Sequence, residues 1–91
     1  MLLIKVRHGN ESKRFRNNSC YFTELLNSVN GLKWASDLPA KFHFYYLDEG
    51  DMIQIDNQHD MNEAIKTIFN EQKSTTLKLI LAQTQQEAID V

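Results

Sequence analysis

The chain has 91 residues, enough for one small domain burying roughly 60–65% of its unfolded surface, with no room for a second core. Ten Lys and Arg against twelve Asp and Glu give a formal net charge of −2, which excludes bulk attraction to nucleic acid or anionic membrane and leaves only a local patch for such binding. The single cysteine, Cys20, excludes an internal disulfide framework and a cysteine-rich zinc site, and points to a reducing compartment. Apolar runs such as residues 79–82 are too short to span a bilayer, and the apolar start at residues 1–4 is interrupted by Lys5 before a signal-peptide core could form. The expectation is a soluble, cytoplasmic protein with no membrane partner.

Leu2, Ile4 and Val6 alternate with Leu3, Lys5 and Arg7, the period of a strand with one buried face. His8-Gly9-Asn10-Glu11 supplies hairpin-turn chemistry, and residues 13–16 form a second strand with Phe15 inward and Lys13, Arg14 or Arg16 available to solvent. Phe22, Leu25, Leu26 and Val29 predict an amphipathic helix over residues 21–30, starting near Ser19, Cys20 or Tyr21 and stopping at Gly31. Residues 32–41, with Pro39, read as a connection.

Phe42, Phe44 and Tyr46 alternate with His43, Tyr45 and Leu47 in a third strand, which an acidic turn, Asp48-Glu49-Gly50-Asp51, closes. Residues 52–55 make a fourth strand. A second helix carries Met61, Ala64, Ile65, Ile68 and Phe69 on one stripe, with Asn57 or Asp60 as its cap. Leu77, Leu79 and Leu81 alternate with Lys78 and Ile80 in a last strand. From Gln83 the chain is polar and weakly patterned, so the domain is expected over residues 1–82 and a tail or linker over 83–91. The expected core contains Ile4, Val6, Phe15, Leu25, Val29, Phe44, Ile55, Ile65 and Leu79.

The order strand, strand, helix, strand, strand, helix, strand predicts an α+β fold, a ubiquitin-like β-grasp whose mixed sheet of about five strands packs on two helices. A ferredoxin-type split βαβ would need a helix between the first two strands, where the sequence has a hairpin turn at Gly9.

Residues 46–65 run Tyr46-Leu47-Asp48-Glu49-Gly50-Asp51-Met52-Ile53-Gln54-Ile55 and on through Asp60, Glu63 and Ala64. An aromatic strand end, an acidic Gly-Asp turn, a short apolar strand and an acidic helix start follow in fixed order, and the stretch resembles the acidic OPCA motif of the PB-one (Phox and Bem one) domain family. Lys5 within Leu3-Ile4-Lys5-Val6 and the sequence Lys13-Arg14-Phe15 resemble that family's basic residues on its first two strands. The resemblance covers residues 2–82. Many members have one further residue, often acidic, before the Gly-Asp pair, so the turn here is shorter.

What the resemblance implies is a protein-interaction module with two partner-binding surfaces, a basic one of Lys5, Lys13 and Arg14 and an acidic one of Asp48, Glu49, Asp51, Asp60 and Glu63. The implied partner is another PB-one domain, by hetero- or self-association, and the implied parent is a scaffold, adaptor, polarity or kinase-signalling protein, with Met1 suggesting that the module begins its chain. The chemistry behind it is general: carboxylates clustered at one turn repel each other, and a partner's cations relieve that repulsion.

Other readings of the same residues rank lower. Charge runs are commonly solvated surface, and a Ras-association type of ubiquitin-like module would use a sheet edge instead. A ubiquitin-type modifier would end in di-glycine, and the chain ends Ala88-Ile89-Asp90-Val91. A nucleic-acid binder would need more cations and an exposed aromatic platform. His43 on a strand, and His8 and His59 in turns, stand at no paired ligand spacing with Cys20, so no metal or cofactor is expected. Carboxylates on an exposed turn have no pocket to shift their pKa, so neither an enzyme nor a small-molecule substrate is expected.

Overall fold

In the computed structural model, which describes residues 2–17 and 19–90, the period-two segments become β1 (Leu2–His8), β2 (Glu11–Asn17), β3 (His43–Asp48), β4 (Asp51–Ile55) and β5 (Thr76–Ala82). Helices α1 (Phe22–Gly31) and α2 (Gln58–Asn70) follow the two hairpins, and a short α3 (Gln85–Ile89) follows β5. The strands form one sheet in the order β2-β1-β5-β3-β4, parallel between β1 and β5 and antiparallel elsewhere. This is the α+β, ubiquitin-like arrangement expected.

Strand alternation sorts the sheet's two sides. Leu2, Ile4 and Val6 of β1, Phe44 and Tyr46 of β3, Ile55 of β4, and Leu77, Leu79 and Leu81 of β5 are buried on one side, beneath Leu25 and Val29 of α1 and Met61, Ala64 and Ile68 of α2. Phe15 and Ile65 pack on the margin of this core, half-buried rather than central. Phe69, expected on the buried stripe, is 60% exposed. Each helical residue turns about 100° from the last, so with Ile68 aimed at the sheet Phe69 points to the flank.

The two hairpins are tight. Glu49 and Gly50 both take positive φ, 50° and 88°, as a type I′ turn requires, and Asp48 pairs directly with Asp51. The shorter acidic turn is therefore a complete two-residue hairpin loop. Asn57 caps α2, its side chain accepting the Asp60 N–H at 2.8 Å. The start of α1 is fixed from a distance: Phe22 N–H donates to Gln58 Oε1 at 2.7 Å, and Gln58 Nε2 donates to the Cys20 carbonyl at 3.0 Å.

The connection between α1 and β3 has no regular structure, yet Trp34 anchors it. Trp34 Nε1 donates to the Val29 carbonyl at 3.1 Å, and its ring meets His8 edge-on at 5.9 Å. The next residue's amide, Ala35 N–H, donates to Glu11 Oε1 at 2.7 Å.

The expected polar tail at 83–91 is instead folded over its described part. Thr84 accepts the Glu87 N–H at 3.1 Å to begin α3, and Gln85 Nε2 donates to the Met52 carbonyl at 2.9 Å. Ala88, 1% exposed, packs with Ala82 and Tyr45 on the side of the sheet opposite α1 and α2. A single alanine gives no periodic signal, and its target, Tyr45, belongs to the face that alternation assigns to solvent. Burial raises the Tyr45 phenol above its ordinary value, with Asp56 and Glu87 adding to the effect.

Ile55→Ala, which removes a wholly buried side chain, should cost about 2–5 kcal/mol in urea unfolding, whereas Phe69→Ala should stay within about 0.5 kcal/mol. Ala88→Asp should lose about 2 kcal/mol or more, because it drives a carboxylate against Tyr45. Wild-type stability for that variant would mean that α3 does not cover the sheet.

Candidate functional site

Directly paired residues on neighbouring strands share a face, so the register decides which charges meet. Lys5 pairs with Arg14 across β1 and β2 and with Lys78 across β1 and β5. Lys5 and Lys78 alternate with buried residues, and Arg14 alternates with the half-buried Lys13 and Phe15, so the three stand in one rank on the outer side of the sheet, away from α1 and α2. Arg16 pairs with Leu3, and Arg7 with Ser12, on that same side. Among the described residues no carboxylate pairs with Lys5, Arg14 or Lys78.

Lys13 does not join them. It pairs with Val6, which places it on the helix side, and its Nζ lies 3.2 Å from Glu11. The Glu11 carboxyl is held below its ordinary range mainly by the Ala35 N–H and further by Lys13. This pair ties the first hairpin to the Trp34 connection. Lys5, Arg14 and Lys78 thus share the outer side of the sheet, and Lys13 stands on the other.

The acidic residues gather at the other end of the sheet. Asp48 and Asp51 face each other across the tight turn on the helix side, with Glu49 exposed at the apex. Tyr46, two residues before Asp48, is 6% exposed beneath α2. Burial raises its phenol, a hydrogen bond with the Thr67 side chain opposes the rise, and the charges of Asp48, Glu63 and Glu71 add to it. Those three carboxylates therefore all act through their charge on one hydroxyl. Asp48 Oδ1 is shielded from solvent and has no hydrogen-bond partner among the described residues.

Asp60 stands apart from the turn. β4 carries the chain about 13 Å from Asp51 to Ile55 before α2 begins. There Asp60 Oδ2 accepts the Asp56 N–H at 3.0 Å, so one of its oxygens serves the helix start. Glu63 lies 3.8 Å from Lys66, with both side chains largely exposed. The acids thus form a strip along β4 and α2, joined by Glu71, which the sequence reading missed.

The histidines belong elsewhere. His43 Nδ1 lies 2.6 Å from Asp56 Oδ1 on the outer side of the sheet. His8 ends β1 against Trp34, and His59 lies in the first turn of α2, so neither sits in a turn as expected. Tyr45, on the outer face beside His43, is covered by α3 and offers no stacking surface to a base.

A mixed β-grasp sheet with cations on one side of β2, β1 and β5, and anions on the other side of the β3–β4 hairpin, defines a ubiquitin-like module with two surfaces of opposite sign. The family model of the PB1 domain matches residues 2–84, and the chain belongs to that family. It is accordingly a protein–protein interaction module. No curated protein matches the sequence.

The Tyr46 environment gives a pH expectation. Its phenol should ionise above 10.0, so the stability it contributes is present below that pH and is lost as pH rises through the elevated value. Glu63→Gln should lower the Tyr46 pKa in a titration followed by the tyrosine Cζ carbon resonances. An unchanged value would place Glu63 outside the acidic strip.

Proposed function

We propose that this domain pairs front to back with other PB1 domains, a second copy of itself included, within a scaffold, adaptor, polarity or kinase-signalling protein. Lys5 and Arg14 of one domain meet Asp48, Glu49 and Asp51 of the next, with Glu63 and Asp60 extending the acidic side. The observation that carries this reading is the separation of unpaired charge. Lys5 and Arg14 have no carboxylate partner among the described residues, and the carboxylates of Asp48 and Asp51 face each other on the opposite side of the sheet.

The mechanism is electrostatic docking followed by short-range pairing. Opposite potentials steer the two surfaces together, and close approach removes water so that ammonium and guanidinium groups donate to carboxylates. Because the two surfaces differ, the contact is heterologous and repeats into rings or open chains instead of closing as a two-fold dimer.

Apparent mass measured by light scattering should therefore grow with concentration and fall with salt, since exposed charges are screened over about 8 Å at physiological ionic strength. Lys5→Ala alone, or Asp48→Ala together with Asp51→Ala, should leave a monomer with unchanged circular dichroism. Mixing the two variants should restore a simple heterodimer. A mixture that stays monomeric would overturn the pairing of copies.

A further inference from the structure

We propose that Lys78 is a third partner-binding cation, set beside Lys5 so that the basic surface takes a partner segment whose carboxylates span three strands. The inference rests on the front-to-back pairing above and names what the basic surface selects. Arg14, Lys5 and Lys78 lie on β2, β1 and β5 in direct register, so with strands about 4.8 Å apart the rank is about 10 Å wide. A single carboxylate cannot serve it. Two or three, spaced as on an acidic hairpin turn with a neighbouring helix, can.

Two features of the free chain support this role. Lysines directly paired on neighbouring strands repel each other, which disfavours the fold, and no carboxylate among the described residues relieves either one. An anion from outside the domain is then the group that offsets the repulsion. The sheet also opens beside Lys78. The β3–β5 ladder runs from His43 and Ala82 to Tyr45 and Ile80 and stops there. Beyond it the strands part around a cavity of about 580 Å³ lined by Lys5, Lys78, Thr76, Leu79, Leu47 and Gln72 among others. A partner's acidic turn lying across the rank has its flanking chain over this cleft, where Leu47, 57% exposed, supplies an apolar wall. The occupant that fits is an acidic turn with an adjoining apolar side chain.

The test uses two forms of the whole chain: one with Asp48→Ala and Asp51→Ala, keeping only the basic surface, and one with Lys5→Ala, keeping only the acidic surface. Calorimetric titration of one into the other gives the reference affinity. Adding Lys78→Ala to the basic-surface chain should weaken binding roughly five- to tenfold and make its salt dependence shallower. Lys78→Arg should restore most of the affinity, and Lys33→Ala, an exposed lysine of the connection, should change nothing. The urea midpoint of the Lys78→Ala chain should be unchanged or raised, because a like-charge contact is removed. Unchanged affinity for Lys78→Ala, alongside lost binding when Lys5→Ala is made in the same chain, would overturn the role of Lys78 and leave the pairing intact. Weakened binding together with a lowered urea midpoint would reduce Lys78 to a structural residue. Absence of any complex between the two reference chains would overturn the pairing itself, and the role of Lys78 with it.

Discussion

Burial of Ile4 and Val6 in β1, and of Leu77 and Leu79 in β5, is the constraint on which the charged surfaces depend. Side chains of a strand alternate between faces, so committing these residues to the core leaves Lys5 and Lys78 one direction, outward and side by side. A slip of one residue would drive Lys5 beneath the helices, where an unpaired ammonium is costly to bury. The same logic applies at the second hairpin. Burying Phe44, Tyr46 and Ile55 carries Asp48 and Asp51 to the helix side. The core and the charged surfaces are thus set by one pattern, and neither can be altered in register without the other.

That pattern separates charge that the net value conceals. A formal −2 is nearly neutral, yet the outer side of β2, β1 and β5 is cationic and the strip along β4 and α2 is anionic. The local pairs lie off the two proposed contact centres. Lys13 with Glu11, Lys66 with Glu63, and His43 with Asp56 are each near neighbours in sequence or across one hairpin. Lys5 and Asp48 lie on opposite sides of the sheet, so the sheet itself prevents them from meeting within one domain. The proposed pairing between domains would relieve both surfaces at once.

Much of this was legible in the sequence because it is local. Alternation around Lys5 assigned the first strand's faces, the acidic turn and its neighbours lie within one short stretch, and Asn57 caps α2 through a contact to Asp60 three residues away. Lys13 could have been placed correctly as well: it has the same parity as Phe15, which the pattern sent inward. What the sequence did not disclose depends on contacts between distant segments. Lys78 joins the basic rank only because β5 lies beside β1, and Glu71 joins the acids only because the end of α2 comes back over Tyr46. Gln58 fixes the start of α1 from 36 residues away, so no local cap could mark it. α3 rests on one buried alanine against a tyrosine from the opposite side of the alternation.

In the proposed pairing the outer side of β2, β1 and β5 receives the acidic hairpin of the next domain. Amide shift mapping tests it most directly, with a labelled chain carrying Asp48→Ala and Asp51→Ala titrated by an unlabelled Lys5→Ala chain. Salt-sensitive shifts are expected over residues 3–7, 12–16 and 76–80, with the labelled chain's own hairpin at 48–51 unmoved. Shifts centred on α1 or on that hairpin, or shifts that persist unchanged at high salt, would contradict that pairing.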